Sequence, residues 1–149
     1  MADFDRNRFN SKKQEWETPI ELFNPLNNEF HFTLDVCADE YNKKVNRYFS
    51  EKENGLLQDW SNDICWMNPP YKKTNIWLKK ALEESEKGAT VVCLVPSRTN
   101  TNWWHNYCMK GEIRFIKGRP KFKGCTHGLP QPLSIIIFRG KTFRSKLKE

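Results

Sequence analysis

The amino-acid sequence predicts a single compact α/β domain built on a doubly wound, mainly parallel sheet. From about residue 32 onwards, apolar segments typical of strands alternate with segments of helical periodicity. The segment at 89–96 is apolar, as expected for a parallel strand that is covered on both faces. The last two apolar segments have little helix between them, so one of these strands is expected to run antiparallel.

The first predicted element is a short helix that begins near Thr18. Thr18 and Glu21 fit a T-x-x-E capping box, and Pro19 suits the first helical turn. Pro25 is expected to limit or kink this helix within about two turns, because proline removes a helical hydrogen bond.

Six strand segments are predicted from their apolar pattern. They lie at 31–38, 46–50, 63–68, 89–96, 112–118 and 134–138. Within the first segment, the strand itself is expected to end near Asp35. The strand at 63–68 is expected to stop at Pro69 and Pro70, since consecutive prolines cannot continue a central strand.

The clearest helix is predicted at 74–88, where Thr74 can cap the first turn and Gly88 can end the last one. Its mostly apolar face is formed by Ile76, Leu78, Ala81, Leu82 and Ser85. A shorter helix is expected at 99–111 and a polar loop at 124–133.

The domain is expected to span residues 15–140. Residues 1–14 are polar, charged and without periodicity, which is typical of a disordered segment, and 141–149 form a basic tail. The length of 149 residues, with 38% hydrophobic residues, suits one domain with an ordinary core. Without an apolar run long enough for a bilayer or an apolar signal region, we expect no membrane partner and a cytoplasmic location.

The charge balance indicates a polyanionic partner. The chain has 25 Lys and Arg against 18 Asp and Glu, for a formal net charge of +7, and such a surface attracts nucleic acid first. The 5 cysteines include no C-x-x-C pair, which predicts a reducing, intracellular protein with no disulfide framework and no zinc site. His105 and Cys108 form an H-x-x-C pair, but ordinary packing explains it better than a metal does.

Four polar segments are expected at the carboxyl ends of the predicted strands, where ligands bind in open α/β sheets. They are Asp35-Val36-Cys37-Ala38-Asp39, Asp59-Trp60, Asn68-Pro69-Pro70-Tyr71 and Pro96-Ser97-Arg98-Thr99. Taken singly, Asp35 and Asp59 could each simply cap a helix. Their convergence on one edge of a parallel sheet indicates a binding site.

The segment from Asn68 to Tyr71 predicts a stiff turn with a defined chemistry. Two prolines fix the backbone, so the Asn68 side-chain oxygen and the Pro69 carbonyl form a close pair of acceptors. This pair suits a planar amino group with two N–H donors, and the Tyr71 ring can stack on its heterocycle. Such acceptors localise the amine lone pair for attack on an electrophilic methyl group, through positioning and electrostatics rather than a general base. The plainer alternative is a turn that only closes a strand.

The sequence resembles the small phage DNA N-6-adenine methyltransferases, which use S-adenosylmethionine. Residues 68–71 match the N/D/S-P-P-Y/F/W motif of amino-methyltransferases, and other segments match in order across roughly residues 15–138. These segments are WETP, FTLDVCAD, NGLLQDW, WMNPPY, GATVVCLVPSRTNTNWWH and EIRFIKGRPKF. The resemblance implies a Rossmann-like class I methyltransferase fold, S-adenosylmethionine as cofactor and DNA as partner.

The resemblance also implies a role for each matching residue. In the catalytic turn Asn68-Pro69-Pro70-Tyr71, Asn68 and the Pro69 carbonyl would hold the amine of an extruded adenine, with Tyr71 stacked on the base. The implied cofactor-binding residues are Thr18 and Pro19 at the carboxylate end, Asp35, Val36, Cys37 and Ala38 in the first loop, and Asp59 with Trp60 at the adenine. The residues implied to lie near DNA are Arg98, Trp103, Arg119 and Lys121.

One feature departs from the wider methyltransferase class. Cys37-Ala38-Asp39 stands where a Gly-rich G-x-G loop usually follows the first strand. The sequence does not identify the acidic residue that usually holds the cofactor ribose, and Glu51 and Glu53 are both candidates.

Several alternatives stay open on sequence alone. The amine could belong to cytosine, an RNA base or a protein glutamine, or the chain could be an inert DNA-binding module with a methyltransferase fold. The intact turn at 68–71 argues against an inert module, and the absence of a Pro-Cys pair excludes methylation of a cytosine carbon. Arg98 and Lys121 could be solvated charges, and Trp103 could belong to the core. With no room for a large target-recognition domain, we expect a monomer or homodimer.

Overall fold

The computed structural model describes residues 18–120 and 131–141. The N-terminal segment predicted at 1–14 lies outside these residues, as do Lys121, Cys125 and all of the predicted basic tail except Lys141. Among the residues described, no helix is long and apolar enough to cross a membrane.

The described chain forms a compact α/β domain with a mixed sheet. Its strands are β1 (Leu34–Asp35), β2 (Ile64–Met67), β3 (Thr90–Pro96), β4 (Glu112–Phe115) and β5 (Leu133–Phe138), in the order β1-β2-β3-β5-β4. The strands β1, β2 and β3 are mutually parallel, whereas β5 pairs antiparallel with both β3 and β4. The antiparallel strand expected near the end of the chain is therefore confirmed. The pairings are divided between parallel and antiparallel, so the sheet is more mixed than predicted.

Helices lie on both faces of this sheet. They are α1 (Ile20–Phe30), α2 (Thr74–Glu86) and the short α3 (Asn102–Asn106). Side chains alternate along β3, so that Val91, Cys93 and Val95 pack in the cluster beneath α2, while Val92 and Leu94 pack in the cluster beneath α1. This burial on both faces explains why the sequence of β3 is apolar throughout.

The start of α1 differs from the prediction. Pro19, not Thr18, is the residue before the first turn, and no side chain caps the helix. Pro25 lies inside α1 on its exposed face, and the helix continues to Phe30 because the lost hydrogen bond faces solvent. His31 ends the helix in the left-handed conformation, with φ 57°.

The helix α2 confirms most of the predicted segment at 74–88. Gly88 follows it with φ 126°, as expected for a glycine that ends a helix. The predicted apolar face is rotated, however, since Ile76 is 49% exposed and Trp77 is buried in its place. The predicted strand at 46–50 is reduced to one bridge, between Asp35 and Tyr48.

Candidate active site

Three of the four predicted polar segments share one edge of the sheet. The strands β1, β2 and β3 are parallel neighbours, and Asp35, Asn68 and Ser97 stand at their carboxyl ends. The fourth segment, Asp59-Trp60, precedes β2 and bonds to the last turn of α2, because the backbone N–H of Trp60 donates to Glu84 Oε1 at 2.7 Å. The expectation that all four segments meet at this edge is therefore wrong for Asp59.

A cleft of about 570 Å³ opens beside two of these segments, the loop after β1 and the turn after β2, whereas residues 96–99 do not line it. Its walls come from the loop after β1, from residues 49–56 and from the turn that leads into α2. The lining residues are Val36, Cys37, Ala38, Asp39, Asn42, Phe49, Ser50, Glu51, Asn54, Gly55, Leu56, Pro70, Lys72, Lys73 and Trp77. A cleft of this size at the carboxyl edge of the strands is typical of a nucleotide-sized ligand site.

Asp35 organises the first wall of the cleft from within the protein. The side chain is buried, its Oδ1 accepts from the Cys37 N–H at 3.3 Å, and its Oδ2 accepts from the Lys44 N–H at 3.0 Å. Burial raises the pKa of Asp35 to about 7, against the opposing effect of these two hydrogen bonds. Its carboxyl group therefore holds the loop, while Val36, Cys37 and Ala38 face the cleft.

The second wall depends on a close backbone approach at Gly55. A Cβ atom at Gly55 would lie 2.3 Å from the carbonyl oxygen of Val36, so the two cleft walls touch at a position that only glycine allows. The Gly55 carbonyl accepts a hydrogen bond of 2.9 Å from the indole Nε1 of Trp60, which is fully buried. Trp60 therefore supports this wall from behind and does not line it.

Asp59 lies on the surface outside the cleft lining. Its Oδ1 accepts from the Ser61 N–H at 2.9 Å, and this hydrogen bond lowers the pKa of the exposed Asp59 carboxyl. This contact is an Asx turn, not the helix cap that sequence analysis kept as an alternative, because the next element after Asp59 is the strand β2.

The turn at 68–71 reaches the cleft through Pro70. Pro69 is buried, and Pro70 lines the cleft with φ −58° and ψ 133°. Tyr71 begins a short 3-10 turn that leads into α2, and its half-buried ring packs near the α1 cluster. Burial raises the pKa of the Tyr71 phenol, so this side chain stays neutral.

Asn68 stands beside the cleft and is held from an unexpected direction. Its Nδ2 donates to the hydroxyl oxygen of Thr18 at 3.2 Å. Thr18, Asp35 and Asn68 line a second, water-sized cavity of about 10 Å³ rather than the main cleft. Pro19, the other residue expected at the cofactor carboxylate, accepts backbone hydrogen bonds at the start of α1.

The predicted DNA-contacting residues occupy different environments. Arg98 is exposed directly after β3, and Arg119 is exposed beyond β4. Trp103 is half-buried and packs on Trp104 with ring centroids 6.3 Å apart, while Lys121 lies outside the described residues.

The structure adds residues that sequence analysis did not select. Lys72 and Lys73 line the cleft. Their position directly after Tyr71 is the sequence feature from which this location could have been predicted. Glu51 also lines the cleft, whereas Glu53 Oε1 accepts from the Ser50 hydroxyl at 2.6 Å and from the Ser50 N–H at 2.7 Å, which lowers the Glu53 pKa. Of the two acidic candidates, Glu51 is thus the one placed to meet a ligand. No group of three possible metal ligands occurs in 18–120 or 131–141.

The fold and site together define a compact α/β enzyme domain whose ligand cleft adjoins an Asn-Pro-Pro-Tyr turn. A sequence model of the DNA N-6-adenine-methyltransferase (Dam) family matches residues 6–135, and the chain belongs to this family. It is 36% identical over 150 residues to the DNA N-6-adenine-methyltransferase of Haemophilus phage HP1 (strain HP1c1), an alignment that covers 93% of this chain and 86% of that protein.

Two other relatives match shorter parts of the chain. The DNA N-6-adenine-methyltransferase of Escherichia phage T1 is 34% identical over 91 residues, which are 60% of this chain and 38% of that protein. The putative methyltransferase YfdM of Escherichia coli (strain K12) is 34% identical over 64 residues, covering 38% of this chain and 70% of that protein.

Proposed function

We propose that this protein methylates the N6 amine of adenine in DNA, with S-adenosylmethionine as donor and Asn68 and Pro69 as the groups that hold the amine. The reaction class follows from membership of the Dam family and from the phage relatives. The assignment of the site rests on the position of Asn68, which follows β2 at the sheet edge where the cleft opens.

The residues of the cleft fit a nucleoside with a charged amino-acid tail. The volume of about 570 Å³ falls within the ordinary range for small-ligand sites. Glu51 would bind ribose hydroxyls, Phe49 and Leu56 would contact the adenine ring, and the loop at 36–38 would approach the tail. The close approach of Gly55 to Val36 joins the wall at residues 49–56 to the loop at 36–38. When bound, S-adenosylmethionine would supply an electrophilic methyl group on a positively charged sulfur.

The role proposed earlier for Asp59 has little support in this geometry. Its carboxylate is exposed and bonds to Ser61, whereas Glu51 and Leu56 line the cleft itself. We therefore propose that the cofactor adenine is recognised by residues 49–56, with Trp60 acting through Gly55.

In the proposed mechanism, the Asn68 Oδ1 and the Pro69 carbonyl accept the two hydrogens of the adenine amine. This localises the nitrogen lone pair and aims it at the methyl group, so that geometry and electrostatics lower the barrier. Tyr71 stacks on the base, which must leave the helix because its N6 atom is inaccessible within the duplex. As the new N–C bond forms, the bond between the methyl carbon and the donor sulfur would break to leave a neutral thioether, and the nitrogen would then release one proton to solvent.

We further propose that the domain is a doubly wound, Rossmann-like class I methyltransferase fold. Helices on both faces of the sheet and a cleft at the carboxyl edge of β1, β2 and β3 support this assignment. DNA would approach the exposed residues after β3, with Arg98, Trp103, Arg119 and Lys121 as contacts, and the enzyme would act in the cytoplasm as a monomer or homodimer.

The test of this function compares Asn68→Ala with Asn62→Ala, an exposed control in the turn before β2. Transfer of labelled methyl groups to DNA is measured, and the product base is identified after nuclease digestion. We expect Asn68→Ala to lose about 10²-fold or more in kcat, with the affinity for S-adenosylmethionine by titration calorimetry little changed. Full activity in this variant, or a methylated base other than adenine, would refute the proposal.

A further inference from the structure

The side chain of Thr18 contacts the proposed catalytic amide across 50 residues of sequence. Thr18 is 3% exposed and lies just before α1. Its hydroxyl oxygen accepts a hydrogen bond of 3.2 Å from Asn68 Nδ2. The fold therefore places the side-chain hydroxyl of Thr18 at the carboxyl end of β2.

In the structure this contact holds the Asn68 side chain in one orientation, with Nδ2 donating to the Thr18 hydroxyl oxygen. The oxygen and nitrogen of a primary amide lie in one plane and point away from their shared carbon in different directions, so a partner for Nδ2 also fixes where Oδ1 points. Only Oδ1 can accept a hydrogen from a substrate amine. In the flipped orientation, an NH2 group would face the substrate NH2 group, and two donors would repel one another.

The surroundings of the contact strengthen it. Thr18 and Asn68 line the water-sized cavity of about 10 Å³ together with the buried residues Asp35 and Trp66 and with Cys37, Asn42 and Lys44. Hydrogen bonds in such a poorly solvated place are stronger than exposed ones, because water does not compete for them.

We propose that Thr18 is a positioning residue that sets the amide orientation of Asn68 for methyl transfer. The inference rests on the proposed function of Asn68. It differs from the role in cofactor binding implied by sequence resemblance, because Thr18 does not line the main cleft. Loss of the hydroxyl should therefore affect turnover and leave cofactor binding intact.

The test uses Thr18→Val, which keeps the side-chain shape and removes the hydroxyl, and Thr18→Ser, which keeps the hydroxyl. We expect Thr18→Val to lower kcat about tenfold, with KM for DNA and the Kd for S-adenosylmethionine within about twofold of wild type. Thr18→Ser should restore most of kcat. If the β-branched replacement unfolds the protein, Thr18→Ala against Thr18→Ser isolates the same hydroxyl in a smaller side chain.

A second comparison separates orientation from simple packing. In an Asn68→Asp background both side-chain oxygens are acceptors, so removal of the Thr18 hydroxyl should lower kcat much less than in the Asn68 protein. Wild-type kcat in Thr18→Val, or a change confined to cofactor Kd, would overturn the role of Thr18. If Asn68→Ala also keeps full activity, the proposed function fails; if only Thr18→Val does, the function stands and this inference alone is wrong.

Discussion

Trp60 donates its indole N–H to the carbonyl oxygen of Gly55, at 2.9 Å, and so holds a cleft wall from the inside of the protein. The Trp60 ring also stacks on Trp77, another lining residue, with centroids 6.2 Å apart and an interplanar angle of 21°. Its own backbone N–H is fixed by Glu84, which is buried on α2. Two parts of the cleft are therefore tied to one buried side chain.

The first prediction concerns Trp60→Phe. Phenylalanine keeps an aromatic ring against Trp77 but cannot bond the Gly55 carbonyl, so the wall at 54–56 should shift. We expect the Kd for S-adenosylmethionine, measured by titration calorimetry, to rise about fivefold to tenfold, the scale of one lost hydrogen bond.

The matched control is Trp104→Phe. Trp104 is buried in the same core cluster, but it is not among the residues that line the cleft. Its replacement should lower the free energy of unfolding without changing cofactor affinity. Equal effects of both variants on cofactor Kd would contradict a specific role for the Trp60 hydrogen bond.

The second prediction concerns Gly55→Ala. The added Cβ would lie 2.3 Å from Val36 O and 3.2 Å from Trp77, so backbone must move to admit it. We expect a loss of about 1–3 kcal/mol in the free energy of unfolding, measured by urea denaturation, as for other overpacked sites. Cofactor affinity should fall as well, because Val36 lines the cleft.

Gly118→Ala is the control for backbone strain without crowding. Gly118 is exposed with φ 78°, and no atom lies within 4 Å of a Cβ built there. This variant should lose about 1 kcal/mol of stability and bind cofactor normally. Wild-type stability and affinity in Gly55→Ala would show that the two walls can separate without cost.

Local patterns in the sequence were sufficient to predict the elements whose structure depends on residues close together along the chain. The strand β3 and the helix α2 were predictable because each carries a continuous pattern of apolar side chains. The convergence of Asp35 and Asn68 also followed from the sequence, since parallel strands place their carboxyl ends on one edge.

The remaining features depend on contacts between distant segments. Asp59 could not be excluded from the cleft without the bond that ties Trp60 to Glu84, 24 residues along the chain. The T-x-x-E pattern at Thr18 matched a helix cap, but the Thr18 hydroxyl bonds Asn68. Trp77 replaces Ile76 on the buried face of α2 because its ring packs against Gly55 and Trp60.

The third prediction concerns Arg98→Gln in DNA binding. Arg98 is exposed beyond the carboxyl end of β3, and under the proposed function it would contact a phosphate of bound DNA. Loss of one phosphate contact should weaken binding and reduce the slope of log K against log salt by about 1. Fluorescence anisotropy of labelled duplex DNA at several salt concentrations measures this slope.

Lys79→Gln is the charge-matched control, because Lys79 is exposed on α2 and is not among the cleft-lining residues. Its slope should remain near that of the wild type. An unchanged slope for Arg98→Gln would mean that this arginine is a solvated surface charge.

The fourth prediction concerns the pH dependence of stability that Asp35 creates. Burial raises the pKa of Asp35 from its ordinary 3.8 to about 7, with Lys44 opposing and Asp39 adding to the shift. Between these values the folded protein binds a proton that the unfolded chain releases, so the free energy of unfolding falls as pH rises. The contribution of this group is complete below about pH 4 and is lost by about pH 7.

Urea denaturation of the wild type and of Asp35→Asn at several values from pH 4 to pH 8 tests this sign. We expect the stability of the wild type relative to Asp35→Asn to fall across this interval, by up to about 4 kcal/mol. The comparison with Asp59→Asn should show no such fall between pH 4 and pH 8, because a hydrogen bond from Ser61 lowers the Asp59 pKa and the contribution of this group is lost only as the pH falls below that interval. A wild-type stability that stays parallel to that of Asp35→Asn at every pH would show that this carboxyl titrates alike in the folded and unfolded states.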